Sequence, residues 1–306
     1  MCGIVGLHLR NPELNPRLGE LLTGMLCEMQ DRGSDSAGVS VYGDPDWSPP
    51  GTVSVSLLEV TDDPSLVTER ITAALPGPAG RVSTRALGET YLISAATEVD
   101  ALVAAVRAAY PTALVAGFGR DVTVLKGVGA PKDLAAAWGL PTAQGWQGVG
   151  HTRMATESAV TPSGAHPYAV GADQCLVHNG SFSNHATIRR ALIRAGVPFD
   201  SDNDTEVGAR FVAHELSNGR DIAGALGELT ATFDGFYTLL VSNSDSFAVL
   251  RDAIACKPAI IAETDDWVAM ASEYRAIAVL PGATDARMWE PEPCVVYAWE
   301  QERALL

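Results

Sequence analysis

An apolar segment at the start of the sequence limits the folds that this chain can adopt. Residues 2–9 read CGIVGLHL, which is typical of a short β-strand. Chain ends fray unless they are held in a sheet. We therefore expect this strand to be tied into a sheet, with Cys2 at its first position.

Composition and charge exclude several classes of partner. The chain has 306 residues, of which 47% are apolar, so it is long enough to bury one large core or two smaller ones. Its formal net charge of −16 offers no positive surface to nucleic acid or to anionic lipid. We expect no nucleic-acid partner and no membrane partner.

The apolar runs of the chain are short. The run at residues 113–118, for example, has the length of a strand and falls far short of a membrane span. The N-terminus also lacks the basic region and the long apolar stretch of a signal peptide. These features predict a cytoplasmic protein.

The cysteines and histidines do not follow the pattern of a disulfide framework or of a metal site. The five cysteines are spread along the chain without a C-x-x-C pair. The six histidines lack the i, i+4 spacing that places two ligands on one face of a helix. We expect no metal and no other cofactor. The cysteines are Cys2, Cys27, Cys175, Cys256 and Cys294.

The middle of the chain differs in pattern from its two ends. From residue 52 to residue 144, short strands alternate with alanine-rich helices, and we find no catalytic motif there. We interpret this stretch as an α+β insertion. After Phe233 the pattern indicates antiparallel strands, the last of them at residues 294–297.

Cys2 has the chemistry of an N-terminal nucleophile. Once Met1 is removed, the thiol and the α-amino group belong to one residue, and the reference pKa of an α-amino group is about 7.7 to 8.0. Near neutral pH this amine can accept the proton of the thiol and so serve as a general base. Taken alone, a cysteine at position two is more simply a small buried thiol at the start of a strand. The other motifs of the chain favour the nucleophile.

Five short motifs resemble, in their order, those of the class II glutamine amidotransferases. That family includes the glutaminase domains of glucosamine-6-phosphate synthase, amidophosphoribosyltransferase, asparagine synthetase and glutamate synthase. One motif would be a weak indication, whereas five in one order are specific. The resemblance covers residues 2–42 and about 147–300. The motifs are Cys2-Gly3-Ile4-Val5-Gly6, Arg32-Gly33-Ser34-Asp35-Ser36-Ala37-Gly38, Gly150-His151-Thr152-Arg153-Met154-Ala155-Thr156, His178-Asn179-Gly180 and Asp202-Asn203-Asp204-Thr205-Glu206.

The resemblance implies an α+β fold of the N-terminal-nucleophile hydrolase type. Members of this family form a four-layer αββα sandwich, in which two antiparallel sheets lie between layers of helices and the nucleophile begins a central strand. We expect residues 1–306 to form one glutamine amidotransferase domain of this kind. The α+β insertion at residues 52–144 would lie within it.

The resemblance also assigns the catalytic groups. Cys2 would attack the side-chain amide of glutamine, and Asn179 and Gly180 would form the oxyanion hole from an amide side chain and a backbone N–H. Glycine permits the close backbone approach that such a hole requires. On its own, Asn-Gly is more often a tight turn.

Recognition of glutamine requires a cation and an anion, since the substrate carries an α-carboxylate and an α-ammonium. Arg153 has a guanidinium suited to the carboxylate, and Asp204 has a carboxylate suited to the ammonium. Taken alone, Arg153 would be a surface charge and Asp204 the N-cap of the helix that follows. The resemblance therefore implies that these two residues bind the substrate.

Four further residues take roles by the same resemblance. Thr156 and His166 would line the glutamine pocket. Arg32 and Asp35 would support the N-terminus beneath the nucleophile, although each is also compatible with a polar turn. Met154 stands where several family members have tryptophan.

These features predict a glutaminase subunit that hydrolyses L-glutamine to L-glutamate and ammonia through a Cys2 thioester. We recognise no acceptor domain in the sequence, so the chain resembles the amidotransferase-like subunit of N-methylglutamate synthase. The resemblance implies a separate synthase subunit that is flavin-containing and glutamate-synthase-like. One alternative is an N-terminal-cysteine acylase that cleaves another amide, against which Arg153 and Asp204 argue. The other is a catalytically quiet subunit that binds glutamine or regulates assembly, and retention of Met1 would favour it.

Overall fold

The protein is built from antiparallel β-sheets and α-helices. The computed structural model describes residues 2–77, 81–154 and 160–301. Within these ranges the strands are β1 (Gly3–Leu9), β2 (Ser36–Tyr42), β3 (Val53–Leu58), β4 (Ser83–Leu87), β5 (Thr90–Ala95), β6 (Leu114–Gly119), β7 (Val122–Val128), β8 (Gln147–Arg153), β9 (Cys175–Phe182), β10 (Gly235–Ser242), β11 (Ser246–Arg251), β12 (Ile260–Glu263), β13 (Trp267–Ala271), β14 (Arg287–Trp289) and β15 (Tyr297–Glu300). The α-helices are α1 (Leu18–Glu28), α2 (Pro64–Ala74), α3 (Val99–Ala109), α4 (Pro131–Trp138), α5 (His185–Arg194), α6 (Asp204–Ser217), α7 (Ile222–Thr232) and α8 (Tyr274–Ala278).

The first strand lies in the middle of the largest sheet. This sheet has seven strands in the order β14-β12-β13-β1-β8-β2-β7, and β1 is paired antiparallel on both sides, with β13 and with β8. The prediction that the start of the chain is tied into a sheet is therefore confirmed. Cys2 immediately precedes a strand that is held along both edges.

The two faces of β1 contact different layers of the protein. Val5, Leu7 and Leu9 pack in a core cluster with α1, whereas Ile4 packs in a second cluster between two sheets. This alternation follows from the two-residue repeat of a strand. Gly6 also faces the second sheet, where an added Cβ would come within 2.3 Å of a Leu240 methyl. Because both faces are buried, the strand is apolar along most of its length.

A four-stranded antiparallel sheet packs against the first sheet. Its order is β15-β11-β10-β9, and its inward side chains meet those of the large sheet in one shared cluster. Helices α5, α6 and α7 pack on its outer face, while α1, α4 and α8 pack on the outer face of the large sheet. The predicted four-layer αββα sandwich is confirmed.

A third sheet extends the core beside the sandwich. It has four strands in the order β4-β5-β3-β6, and α2 and α3 share its core cluster. The predicted insertion at residues 52–144 contains these elements, but it also contains β7 and α4. β7 pairs with β2 in the large sheet, and α4 packs in the cluster of α1. The stretch with its own sheet thus runs from β3 to β6, and its treatment as an insertion stays a prediction.

The last strand begins later than predicted. β15 starts at Tyr297 and pairs with β11, whereas the expected strand covered residues 294–297. Cys294 has a φ of 59°, in the left-handed region, so the chain is not extended there. No α-helix in the described ranges combines the length and the apolarity of a membrane span. The cytoplasmic location stays a prediction.

Candidate active site

Polar side chains from distant parts of the chain hold the backbone of Cys2. Arg32 Nε donates to the Cys2 carbonyl at 2.8 Å, and Asn179 Nδ2 lies 3.3 Å from the same oxygen. Arg32 also forms an ion pair of 2.7 Å with Glu273, just after β13. Cys2 itself is half-buried, and its Sγ lies 3.8 Å from the Met154 carbonyl oxygen. The main chain at Cys2 is thus fixed while the thiol is partly accessible.

The side-chain amide of Asn179 is held in one orientation. Its Oδ1 lies 3.1 Å from His151 Nε2, and since an amide oxygen only accepts, His151 Nε2 carries the proton. The Nδ2 group is thereby turned toward the Cys2 carbonyl and toward Ser272 Oγ, each at 3.3 Å. Asn179 is buried. A donor fixed beside the nucleophile is what an oxyanion hole requires.

Gly180 follows Asn179 in a conformation that favours glycine. Its φ is +130°, and an added Cβ would lie 1.9 Å from the Phe236 carbonyl oxygen. The Asn-Gly pair lies inside β9 and not in a tight turn, so the alternative interpretation of this dipeptide was wrong. Gly180 is exposed, which leaves its backbone accessible next to the Asn179 amide.

Three buried histidines and one threonine form a chain of hydrogen bonds behind Asn179. His166 Nδ1 lies 2.9 Å from His151 Nε2 and accepts from the single proton that His151 shares with Asn179, which leaves His166 Nε2 to donate to Thr205 Oγ1 at 2.9 Å. Thr205 Oγ1 in turn lies 3.0 Å from His178 Nδ1. Burial lowers the pKa of His151 to about 3 and the pKa of His178 to about 4, and it lowers the pKa of His166 well below its usual value. These rings are neutral at neutral pH and are too weakly basic to take the proton of a thiol.

Arg153 lines a cavity at the end of β8. The cavity has a volume of about 280 Å³, and the arginine is buried at its wall. Asp204 begins α6, and its Oδ2 accepts a hydrogen bond from the Phe182 N–H of β9 at 2.9 Å. The loop that leads to Asp204 lines the same cavity with Ser201, Asp202 and Asn203. Arg153 thus lies in the cavity wall, whereas Asp204 does not line the cavity, and the binding of an amino-acid head group by these two residues stays a prediction.

The N-cap of α6 is Asn203. Its side chain accepts a hydrogen bond from the Thr205 N–H at 2.8 Å. The interpretation of Asp204 as the N-cap was wrong, because Asn203 already fills that position. The Asp204 carboxylate instead contacts the strand that carries Asn179 and Gly180.

The remaining predicted residues differ in what the structure says of them. Thr156 lies outside the described residues. His166 uses both ring nitrogens on His151 and Thr205 and does not line the cavity at Arg153. Asp35 donates its backbone N–H to the Arg153 carbonyl at 3.1 Å, which ties the end of β8 to the start of β2. The functional roles of these residues stay predictions.

Sequence reasoning did not single out His151, Thr205, Ser272 or Glu273. His151 and Thr205 stand inside the recognised motifs, so a signal was present, but a motif position does not reveal a hydrogen-bond partner. Ser272 and Glu273 belong to none of the five motifs. They reach Asn179 and Arg32, the two residues that hold the Cys2 carbonyl, only because β13 pairs with β1.

Comparison with known proteins assigns the chain to a family. A family model for a glutamine amidotransferase domain matches residues 151–279. The glutamine amidotransferase-like protein GlxB of Rhizobium meliloti (strain 1021) is 45% identical over 306 residues, which cover 99% of this chain and 100% of GlxB. The chain belongs to the class II glutamine amidotransferases. It is therefore an enzyme that acts on glutamine.

More distant similarities agree with this assignment. The glutamine–fructose-6-phosphate aminotransferase of Mycobacterium bovis is 36% identical over 136 residues, which are 43% of this chain and 22% of that enzyme. The glutamine phosphoribosylpyrophosphate amidotransferase of B. subtilis superposes with a TM-score of 0.62 at 18% identity. The match covers 98% of this chain and 48% of that one, so this chain spans about half the length of that structure. The family resemblance that the ordered motifs indicated is confirmed.

Proposed function

We propose that this enzyme hydrolyses L-glutamine to L-glutamate and ammonia, with Cys2 as the nucleophile. Removal of Met1 is part of the proposal, because it releases the α-amino group that serves as base. One observation carries the proposal. The Asn179 amide, oriented by His151, lies 3.3 Å from the Cys2 carbonyl, which puts an oxyanion donor beside the thiol.

The first step transfers the thiol proton to the α-amino group of Cys2. Its reference pKa of about 7.7 to 8.0 suits this transfer near neutral pH. The pKa values of His151 and His178, about 3 and about 4, are too low for these rings to accept the thiol proton. Sγ then attacks the amide carbon of glutamine, and the carbonyl oxygen becomes an oxyanion. Asn179 Nδ2, which exchanges its 3.3 Å contact with the Cys2 carbonyl for the oxyanion, and the Gly180 N–H donate to that oxygen.

The next steps release both products. The C–N bond breaks, the leaving nitrogen takes the proton from the α-ammonium of Cys2, and ammonia departs from a γ-glutamyl thioester. Water then attacks the thioester carbon while the α-amino group accepts its proton. A second oxyanion forms at the same donors, the C–S bond breaks, and the proton returns to sulfur as glutamate leaves. The cycle consumes water and needs no oxidant or reductant.

The substrate head group is bound at the cavity beside β8. Arg153 binds the α-carboxylate and Asp204 binds the α-ammonium, with Thr156 as a further pocket residue. We propose that His166 acts indirectly, because its hydrogen bonds hold His151 behind Asn179 and Thr205 in the first turn of α6. Arg32 and Asp35 hold the main chain at Cys2 and at the end of β8.

We propose that the ammonia passes to a separate synthase subunit of the flavin-containing, glutamate-synthase-like type. Exposed apolar side chains beside the site support contact with another protein. Met154, Phe236 and Tyr274 are 42%, 37% and 45% exposed. All three lie next to residues of the candidate site. Met154 follows Arg153, the Phe236 carbonyl faces Gly180, and Tyr274 follows Glu273, the ion-pair partner of Arg32.

Replacement of the nucleophile tests the chemistry. Cys2→Ala should reduce glutamine hydrolysis to background with an unchanged circular dichroism spectrum, whereas Cys27→Ala, in α1, should retain activity. The glutamine analogue 6-diazo-5-oxo-L-norleucine should add its mass to Cys2 alone, on a chain whose intact mass lacks Met1. Activity in Cys2→Ala, or labelling at another cysteine, would contradict the mechanism.

Reconstitution tests the subunit. Glutaminase activity should rise when the glutamate-synthase-like chain from the same organism is added. Met154→Ser and Tyr274→Ser should weaken that rise, whereas Ile193→Ser, an exposed apolar position on α5, should not. A chain without glutaminase activity in either condition would instead favour the catalytically quiet subunit.

A further inference from the structure

A second cavity lies between the third sheet and the sandwich. It has a volume of about 330 Å³, within the range of small-molecule pockets. Its walls are largely apolar. The third sheet and α3 contribute Val103, Leu114 and Phe118, and the sandwich contributes Val170 and Pro198. We call this space the interface cavity.

Lys126 is a buried cation in the wall of the interface cavity. It lies on β7, is 3% exposed, and makes no hydrogen bond or ion pair within the part of the chain that the structure describes. Its Nζ lies 4.6 Å from the centre of the Tyr168 ring. Burial lowers the pKa of Lys126 to about 8. The nearby charge of Glu206 acts in the opposite direction on this pKa, but Lys126 forms no ion pair with it. A buried ammonium without an ion pair is costly, which points to a ligand that supplies one.

The other charges of the interface cavity are already paired. Asp200 accepts hydrogen bonds from Arg107 at 3.1 and 3.0 Å and from Arg210 at 2.8 Å. Glu206 accepts hydrogen bonds from the Asp200 and Ser201 backbone N–H groups at 2.8 and 2.7 Å, and it forms an ion pair with Arg210. Two carboxylates therefore balance two guanidiniums. Among the described residues that line the cavity, Lys126 remains as the single excess positive charge.

We propose that the interface cavity binds a small amphiphilic carboxylate and that its occupancy regulates the glutamine site. The carboxylate would accept from Lys126 Nζ, and the apolar part would lie against Val103, Leu114 and Phe118. One unpartnered cation matches one negative charge. A phosphate group carries a charge of about −1.5 to −2 and calls for several donors, so it matches less well.

The two cavities share a wall. Ser163, Tyr168 and Ser201 line both the interface cavity and the cavity at Arg153. Tyr168 donates from its hydroxyl to the Ser163 carbonyl at 3.1 Å. Asp200, which Arg107 ties to α3, begins the loop that leads to Asp204. A ligand that moves this wall would change the affinity for glutamine, an effect that rests on the proposed function.

Direct binding tests the site without reference to activity. The probe is hexanoate, measured by isothermal titration calorimetry, with hexan-1-ol and inorganic phosphate as comparisons. Lys126→Met should bind hexanoate at least about tenfold more weakly than the unmodified protein, because it loses a charged hydrogen bond. Lys132→Met, an exposed position on α4, should bind it normally. Hexan-1-ol and phosphate should each bind at least about tenfold more weakly than hexanoate.

Two further measurements control for a Lys126→Met variant that fails to fold and test whether the ligand affects the glutamine site. Val103→Trp fills the interface cavity from its partly exposed wall and keeps the lysine, so it should also abolish hexanoate binding if Lys126→Met fails to fold. Hexanoate should shift the KM for glutamine in the unmodified enzyme and not in Lys126→Met. Unchanged hexanoate affinity in a folded Lys126→Met or Val103→Trp, or equal affinity for phosphate, would overturn the proposal. Hexanoate binding that requires Lys126 in a chain without glutaminase activity would overturn the proposed function and leave the site standing.

Discussion

At the scale of single residues, the orientation of Asn179 depends on His151. Without the Nε2–H donor, the Asn179 amide can rotate and turn its oxygen toward the nucleophile. We expect His151→Phe, which keeps a ring but lacks the donor, to lower kcat about tenfold or more with little change in KM, and Asn179→Ala to lower kcat about a hundredfold or more. Steady-state kinetics with glutamine measures both effects.

The double variant separates this coupling from general damage. Because His151 acts through Asn179, His151→Phe should cost little in a chain that already carries Asn179→Ala. Each variant raises the free energy of activation relative to the unmodified enzyme. The increases measured for the two single variants should therefore add to more than the increase measured for the double variant. Strict additivity would mean that His151 does not position the amide.

Arg153 is the residue on which glutamine affinity should depend most. Arg153→Ala removes one member of a buried charged hydrogen bond to the α-carboxylate, a change that costs about 2 to 5 kcal/mol. KM should rise about thirtyfold or more, with a smaller fall in kcat. Arg85→Ala, on the third sheet, serves as the control and should leave both constants unchanged. A fall in kcat alone would contradict a role in ground-state binding.

At the scale of elements, β9 carries both of the proposed oxyanion donors and has no room for a side chain at Gly180. Gly180→Ala would force a Cβ to within 1.9 Å of the Phe236 carbonyl at a φ of +130°. We expect a loss of about 1 to 3 kcal/mol in the free energy of unfolding and a fall in kcat. Gly196→Ala is the matched control, because it also has a positive φ but open space around it. Equal losses in the two variants would show that strain, and not the contact with β10, is responsible.

Local sequence patterns predict individual strands and helices better than they predict which strands pair with each other in a sheet. The apolar run after Cys2 predicts a strand because both faces of β1 are buried. The same kind of reasoning displaced β15, where a left-handed Cys294 interrupts the extended chain. It also placed β7 within the predicted insertion, since nothing in a single strand indicates which strand it will pair with.

At the scale of the whole molecule, buried neutral histidines make stability depend on pH. Burial lowers the pKa of His8, His151, His166 and His178, whereas the pKa of an unfolded histidine is about 6.5. Below pH 6.5 or so the unfolded chain binds protons that the folded protein does not. The stability that these neutral histidines contribute is thus fully present above that pH. It is lost as the pH falls toward the pKa values of the folded protein, about 3 for His151 and about 4 for His178.

Urea denaturation at several pH values measures this dependence. The free energy of unfolding should fall between pH values of about 6.5 and 5, by up to about 1.4 kcal/mol per pH unit for each such histidine. His151→Phe should show a shallower slope, since it removes one of these groups. Ile193→Ser, which changes an exposed side chain on α5 and removes no titratable group, should keep the original slope. An unchanged slope in His151→Phe would show that this ring does not resist protonation in the folded protein.

The candidate site could be predicted from sequence only as far as its motifs reach. Cys2, Arg153, Asn179 and Asp204 stand in ordered motifs, and the structure places Arg32 and Asn179 directly on Cys2. Glu273 could not be found in this way, because it reaches Arg32 across 241 positions of sequence through strand pairing. The interface cavity could not be predicted from sequence for the same reason, since its charged residues come from segments that are adjacent only after folding.

The central position of β1 has a consequence for the order of events during synthesis. Its neighbours β8 and β13 begin at Gln147 and Trp267, so both are made much later. At about 5 to 20 residues per second, β8 follows β1 by at least roughly seven seconds. On the proposed mechanism, a nascent chain therefore presents its thiol long before the oxyanion donor Asn179 is made, and it would be inactive as a glutaminase during that interval. During the same interval the amino terminus is an unpaired tail, open to an aminopeptidase before the sheet closes around it.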